Sequence, residues 1–410
     1  MATHRTPTAR ARGRNRQRRG WIPVIAVAAL LAGCSQAQSH SQPILPSPTG
    51  PDSVPAGLSC HAPDVSATEA TRGWFLAVVT TGHPAISGGP STLTSTSLAL
   101  VDPSGGRHTV CTLRGRQSVM LLDWSPAGQR ALLEIAGRTK TVTVLDLRTG
   151  SGRTLHLPSW TDQVGFEGPR GRAVLYGTAP HRTHGTSHSG ALQRLDLRTG
   201  HTTTLETSEP GAWLTGPSGE QVVTSAQEYG TRRHQDMRVV TDDGDLVRAI
   251  PSTAGCTPVR WWNRRTILAT CAGYSLLWLF ASDGSHATPL TTSRANGPDL
   301  GDTDARRVSS GLFTQSLGPC GVVFVAMRDA HGRAYRVDVP HTIGNIMLLG
   351  ATRHRLVLQV TSSCDGGPNR SELVRFNPVT KNEQVISQLP ARMGYQGVLP
   401  YGEVRAARLY

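Results

Sequence analysis

Apolar positions in this chain alternate with polar ones in short bursts, and each burst stops at a polar turn holding Gly, Asn or Asp. Seven bursts carry the pattern: SLALVDPSGG (Ser97 to Gly106), TVTVLDLRTG (Thr141 to Gly150), ALQRLDLRTG (Ala191 to Gly200), MRVVTDDG (Met237 to Gly244), LLWLFASDG (Leu276 to Gly284), VVFVAMRDAHG (Val322 to Gly332) and ELVRFNPVTKN (Glu372 to Asn382). Period-two alternation marks a half-buried strand, and Gly, Asn or Asp serves where a hairpin turns φ positive. With residues 106, 150, 200, 244, 284, 332 and 381 as the turn positions, the steps are 44, 50, 44, 40, 48 and 49. A second short strand follows each turn, as in GRTLHLP (Gly152 to Pro158), HTTTLETS (His201 to Ser208) and EQVISQLP (Glu383 to Pro390). Strand-rich units repeating every 40 to 50 residues predict a β-propeller.

Each unit also has a front half of two strands around a tight turn. Its clearest copy is MLLDWSPAGQRALLEI (Met120 to Ile135), with cognates at Val164 to Gly177, Ala212 to Ser225, Val259 to Cys271 and Met347 to Val360. Trp124-Ser125-Pro126-Ala127-Gly128 is similar to the WSPDG hairpin of TolB-like and WD40-like propeller blades, with Ala127 in place of the usual Asp. The predicted fold is therefore all-β, a single propeller over residues 60–410, of seven blades with four antiparallel strands each; six and eight blades are the alternatives. The strands run A and B around the Pro-Gly turn, then C and D around the LDLRTG-type turn. The first unit, with strands near Trp74 to Thr80, Ser97 to Asp102 and Arg107 to Leu113, lacks a readable A strand, as does the sixth, Thr291 to Pro340. An open ring leaves strand edges exposed, and Gln396 to Leu409 repeats a front-half pattern. That segment is expected to dock beside the first blade and latch the ring.

The N-terminus reads as an address. Arg10, Arg12, Arg14, Arg16, Arg18 and Arg19 precede an apolar run, Trp21 to Ala32, too short to span a bilayer comfortably. Leu31, Ala32, Gly33 and Cys34 resemble the lipobox of bacterial lipoproteins, which implies cleavage before Cys34 and acylation of its thiol. Arg18-Arg19-Gly20-Trp21-Ile22 weakly resembles a twin-arginine export signal, leaving the route open between that system and the general one. Residues 34–59, rich in Pro, Ser and Gln, have no hydrophobic period and read as a disordered tether. The expected location is the outer face of the cell membrane, through an N-terminal lipid. Signal, tether and propeller together resemble actinobacterial lipoproteins that carry TolB-like propellers and work beside sensor kinases.

Charge changes this picture little. The net charge is +14, but residues 1–33 hold seven Arg and no acid, leaving +7 for the rest. Only Lys140 and Lys381 are Lys, which points to Arg-biased codon use, and no Arg-rich helix or aromatic-interleaved basic stripe is present. Nucleic-acid binding is excluded on that pattern. Six cysteines beyond Cys34 suggest disulfides in an exported chain. The blade pattern puts Cys256 and Cys271 across one hairpin, sets Cys320 and Cys364 in loops of neighbouring blades, and leaves Cys60 with Cys111. No CxxC or CxH spacing supports zinc.

Candidate chemistry is sparse. His181, His184 and His188 in HRTHGTSHSG are weak metal candidates in what reads as a solvated loop without a carboxylate. Asp299, Asp302 and Asp304 crowd together as in a calcium loop, but Arg306 and Arg307 compete for them and the EF-hand spacing is missing. Ser187 is not in a GxSxG elbow, and no α/β-hydrolase pattern accompanies the repeats. Trp261 with Trp262 is the one pair that could line an aromatic pocket. From this the chain is expected to be monomeric, cofactor-free and non-enzymatic, a scaffold binding an envelope protein or polymer. Two alternatives are a lyase or hydrolase with its site at the central channel, and a solute-binding lipoprotein.

Overall fold

The computed structural model describes residues 57–402, apart from 64–69, 84–91, 115–117, 137–140, 228–234, 272–275, 292–300, 319–321, 362–370 and some single or paired positions. The lipobox residues Leu31 to Cys34, and also His184, Asp299, Cys320 and Cys364, lie outside the described residues.

Blade 1 combines the first and last strands of the described residues. Its strands are β1 (Leu58–Cys60), β2 (Phe75–His83), β3 (Thr92–Val101), β4 (Arg107–Arg114) and, from the C-terminus, β31 (Met393–Pro400). Blade 2 is β5 (Ser118–Ser125), β6 (Arg130–Ala136), β7 (Thr141–Asp146) and β8 (Gly152–Leu155). Blade 3 is β9 (Thr161–Phe166), β10 (Ala173–Thr178), β13 (Ala191–Asp196) and β14 (Thr202–Glu206), with a small hairpin, β11 (His181–Thr183) and β12 (Thr186–His188), between its B and C strands. Blade 4 is β15 (Glu209–Thr215), β16 (Gln221–Gln227), β17 (Arg238–Thr241) and β18 (Leu246–Ala249). Blade 5 is β19 (Thr257–Asn263), β20 (Thr266–Cys271), β21 (Leu276–Ala281) and β22 (Ala287–Pro289). Blade 6 is β23 (Gly301–Val308), β24 (Gly311–Leu317), β25 (Val323–Arg328) and β26 (Ala334–Arg336). Blade 7 is β27 (Ile346–Ala351), β28 (Leu356–Thr361), β29 (Ser371–Phe376) and β30 (Glu383–Gln388). Every pairing is antiparallel, so the protein is a seven-bladed propeller of four-stranded blades, the first with an extra outer strand.

The repeated turn has one physical cause. In LDLRTG, Asp146 Oδ1 accepts the N–H groups of Arg148 (2.8 Å) and Thr149 (3.2 Å), and Gly150 takes φ 70° to finish the turn. Asp196 does the same for Arg198 and Thr199, and Asp102, Asp329 and Asn377 hold the equivalent turns of blades 1, 6 and 7. Asx side chains imitate a backbone turn in this way. Around the turn Leu145 and Leu147, two apart and almost wholly buried, point into the space between blades 1 and 2.

Ring closure follows the expected route. β31 pairs with β2 from Phe75↔Pro400 to Thr81↔Met393, supplying the missing A strand of blade 1; the rest of the expected latch, residues 403–409, lies outside the described residues. Trp124, ahead of its turn, is buried between blades and meets Tyr401 edge-on at 5.6 Å. The sixth A strand exists too: β23 carries Asp302 and Asp304, two of the carboxylates weighed for calcium, and buries them with Arg306. The segment read as a solvated loop forms the β11–β12 hairpin, in which His181 stands opposite His188.

Two of the expected disulfides are formed. Cys60–Cys111 joins directly paired residues of β1 and β4, and Cys256–Cys271 closes the base of the β19–β20 hairpin. Arginine also has a structural use that codon bias does not explain. Arg130 Nη1 donates to Gly171 O (2.7 Å), Arg153 Nη1 to Leu197 O (2.6 Å), and Arg238 Nη1 to Glu206 (3.0 Å), each tie joining neighbouring blades.

Candidate functional site: the central channel

The A strands of all seven blades face one cavity of about 980 Å³. Leu399 and Pro400 represent blade 1, Met120, Leu122 and Asp123 blade 2, and Thr161 to Phe166 blade 3; Thr215, Val259, Asp304 and Leu348 continue the ring through blades 4 to 7. The cavity extends outward between blades 2 and 3, where Glu134, Val142, Leu155, Leu157 and Asp162 line it. Binding sites of propellers lie where such a channel meets a rigid frame.

Asp123 is the chemically notable residue of the wall. It follows a β-bulge in β5, which turns its side chain away from the strand's alternation. Oδ1 accepts the N–H of Trp124 at 2.7 Å, and Oδ2 accepts the N–H of Phe166 in blade 3 at 2.7 Å. Burial raises its pKa, the two N–H bonds lower it, and the balance leaves it raised to about 6. The side chain borders the channel, which leaves the residue partly open, while lying deep within the ring. Among the described residues no cation pairs with it.

Asp304 occupies the same slot in blade 6 and shows what Asp123 lacks. It too follows a bulge and accepts the N–H of the next residue, Ala305, at 2.7 Å. Two guanidinium groups neutralise it: Arg260 Nε at 3.0 Å, and Arg306 Nη1 at 2.8 Å and 2.9 Å from its two oxygens. Asp302, fully buried, is held by Arg328 Nη2 at 2.5 Å and by Ser316 Oγ at 2.8 Å. Arg306 and Arg328 therefore take the two carboxylates that a calcium ion would need, and Arg307 is exposed. Among the described residues no group of three or more His, Cys, Asp or Glu could hold a metal ion. His181 and His188 are placed by their backbone only, and the side chain of Ser187 is likewise not described.

Trp261 and Trp262 are not among the residues lining the channel. Trp261 Nε1 donates to Thr215 O at 2.7 Å between blades 4 and 5, and Trp262 lies under Arg260 between blades 5 and 6. Both serve blade packing, so the aromatic pocket of a solute-binding reading is not formed by them. A Ser309 Oγ–His354 Nδ1 contact of 2.7 Å links exposed turns of blades 6 and 7. No acid orients that imidazole among the described residues, so the pair lacks the third member of a triad.

Asp123 and Gln163, which line the same channel, were not singled out by sequence. Asp123 stands in LLDW, a polar residue breaking an apolar run just before the turn, and that break was the available signal. Its lack of a counter-ion is a property of the folded ring alone.

No family profile and no curated protein sequence matches the chain. Solved structures do. A prolyl endopeptidase is 13% identical with a TM-score of 0.53, the match covering 83% of this chain and 50% of that one. Prolyl oligopeptidase B from Galerina marginata, bound to a 35mer hydrolysis and macrocyclization substrate, is 10% identical with a TM-score of 0.53, covering 82% and 51%. The β-propeller domain of the trilobed protease from Pyrococcus furiosus is 10% identical with a TM-score of 0.50, covering 82% and 97%. That domain is described as having an open velcro topology, whereas here β31 completes blade 1. The chain thus spans about half the length of the two oligopeptidases and nearly all of the isolated propeller.

These neighbours correct the functional expectation. A non-catalytic scaffold and a chain that is not an enzyme were expected; the three propellers named above come from peptidases, which contradicts both expectations and fits the hydrolase alternative better. At such identity the likeness establishes the fold, so the activity rests on the channel itself.

Proposed function

We propose that the chain is a propeller hydrolase acting on peptides, with Asp123 as the proton-transferring group of the central channel. The observation that carries this is a buried carboxyl bordering the channel, held by two backbone N–H groups, without a cation, and with its pKa raised to about 6. Leaving a buried carboxyl unneutralised costs stability, and such groups concentrate at functional sites. A base with a pKa near the working pH is suited to catalysis. The peptidase neighbours support peptide as the substrate class.

In this reading Asp123, mostly ionised at neutral pH, takes a proton from a water whose oxygen attacks the peptide carbonyl carbon. The C–N bond then breaks, and the proton passes from Asp123 to the leaving amine. One water is consumed, giving an acid and an amine. Backbone donors on both oxygens fix the carboxylate, so little orientation has to be found during the reaction.

The test is cleavage of a mixed peptide library by the full-length chain, read by mass spectrometry, beside Asp123→Asn. Asn keeps the shape and one acceptor but presents its NH2 to one of the two backbone N–H groups. We expect kcat/KM to fall by about 100-fold or more. Equal cleavage by the two proteins, or none by the wild type, contradicts the proposal.

The N-terminal segment supports an exported chain held at the membrane by a lipid on Cys34. Cys34→Ala is then expected to move the protein from the membrane to the soluble fraction; an unchanged distribution rejects the lipid anchor.

A further inference from the structure

The channel inverts the charge of the protein around it. The chain has 42 Lys and Arg against 28 Asp and Glu. Yet the channel wall contains Asp123, Glu134, Asp162 and Asp304 and, among the described residues, no Lys, Arg or His. Asp304 is answered from behind by Arg260 and Arg306, so its charge is spent within the frame. Asp123 and Asp162 belong to blades 2 and 3, on the side where the cavity extends outward.

Gln163 sits in the same wall, one residue after Asp162 in β9. It is 5% exposed, and its Oε1 is buried without a hydrogen-bond partner. Gln129 and Gln235 also have a buried Oε1 without a partner, but neither lines the channel, and two glutamines buried between blades 6, 7 and 1 are satisfied. Gln315 Nε2 donates to Phe324 O (2.9 Å) and Ile346 O (3.1 Å) while its Oε1 accepts Leu348 N–H, and Gln359 Nε2 donates to Tyr395 O at 3.1 Å. A buried acceptor without a donor is costly, and native proteins keep few of them. Gln163 breaks the rule where the channel wall is acidic.

We propose that the wall between blades 2 and 3 binds the cationic side chain of a peptide, Lys or Arg, with Gln163 Oε1 and the Asp162 carboxylate as its acceptors. Leu155, Leu157 and Val164 line the same extension and suit the aliphatic stem of such a side chain, which prefers apolar walls below a polar head. Field lines from carboxylates in a low-dielectric cleft concentrate cations there. The proposal rests on the hydrolase reading and names the substrate class of that site.

Its test is binding, which is independent of turnover. The full-length chain is titrated calorimetrically at pH 7 with acetyl-Leu-Lys-Leu-amide and with the same peptide bearing Nε-acetyllysine. The free lysine form is expected to bind at least tenfold more tightly. Gln163→Leu is expected to remove at least fivefold of that preference while its unfolding temperature stays level or rises, because an apolar side chain of similar size replaces an unpaired amide. Asp162→Asn, at an exposed position, is expected to fold as wild type and also to weaken the preference. Equal affinities, no binding of either peptide, or a preference untouched in both variants overturns the proposal. A lysine preference without cleavage sinks the hydrolase reading and leaves this inference standing; cleavage without the preference does the reverse.

Discussion

Asp123 and Asp304 share a bulge, a slot and a bond to the following N–H, and differ in whether an arginine stands behind them. That difference has a measurable consequence for stability. The folded-state pKa of Asp123, about 6, lies above the ordinary carboxyl value of 3.8, so the folded protein holds this proton more tightly than the unfolded chain. The stability so gained is complete below pH 4 and is lost as pH rises through 6, amounting to about 3 kcal/mol. Chemical denaturation at pH 4 and pH 7 is expected to show this loss in wild type and not in Asp123→Asn; parallel losses in both contradict the assignment. Asp102 carries the opposite sign. Burial works to raise its pKa, but bonds from Ser104, His108 and Gly106 outweigh it and bring it to about 2, so its contribution disappears only in strong acid.

The turn residues make a second residue-scale prediction. Lys381 takes φ 56° where blades 2 and 3 use Gly. Lys381→Gly is expected to stabilise by roughly 0.5–1 kcal/mol, the relief of a left-handed side chain less the added chain entropy. Gly150→Ala is expected to cost more than about 1 kcal/mol, because a Cβ there would stand 2.8 Å from the backbone of His61. Thermal melts of the two variants check both signs. These turns were legible from sequence because each is a local matter of Asx acceptor and positive φ. Asp123 was not, since nothing near it in sequence reveals that no cation reaches it.

Among elements, the sheets that read most easily were those whose apolar residues face neighbouring blades, such as β6 and β7. β23 was not readable because GDTDARRV has almost no apolar run. Its buried positions are filled by Asp302, Asp304 and Arg306, which satisfy one another and the arginines around them, so hydropathy carries the wrong sign. β31 was legible as a latch, because ring closure needs the A strand that the first unit lacks. Removing it by ending the chain at Leu389 exposes the inner edge of β2 and unpacks Tyr395 and Val398. We expect a Tm lower by about 10 °C or more and a tendency to associate through the open edge. A truncated chain that melts like the full one contradicts the closure role of β31. The Cys256–Cys271 bond spans 15 residues, and replacing both cysteines by Ala is expected to cost about 3 kcal/mol in denaturant titration.

At the scale of the whole molecule, seven near-equal units place seven A strands around one axis, and a period of 40 to 50 residues sufficed to predict that disc. The period could not reveal the channel's character, because A strands are the least repetitive part of each unit. Asp in blade 2, Gln in blade 3 and paired Asp–Arg in blade 6 meet only once the ring has closed. What results is an acidic, largely apolar channel within a basic protein, with one poised carboxyl and one unpaired amide on the same side.

If Asp123 transfers the proton in peptide hydrolysis, its ionisation governs the pH dependence of kcat/KM. Below the pKa of about 6 the carboxyl is protonated and cannot act as a base, so kcat/KM should rise tenfold per pH unit up to that point and level off above it. Asp123→Asn should lose both the rate and the ionisation. A wild-type profile flat across pH 5 to 7, or the same limb surviving in Asp123→Asn, would place the proton transfer on another group and contradict the account.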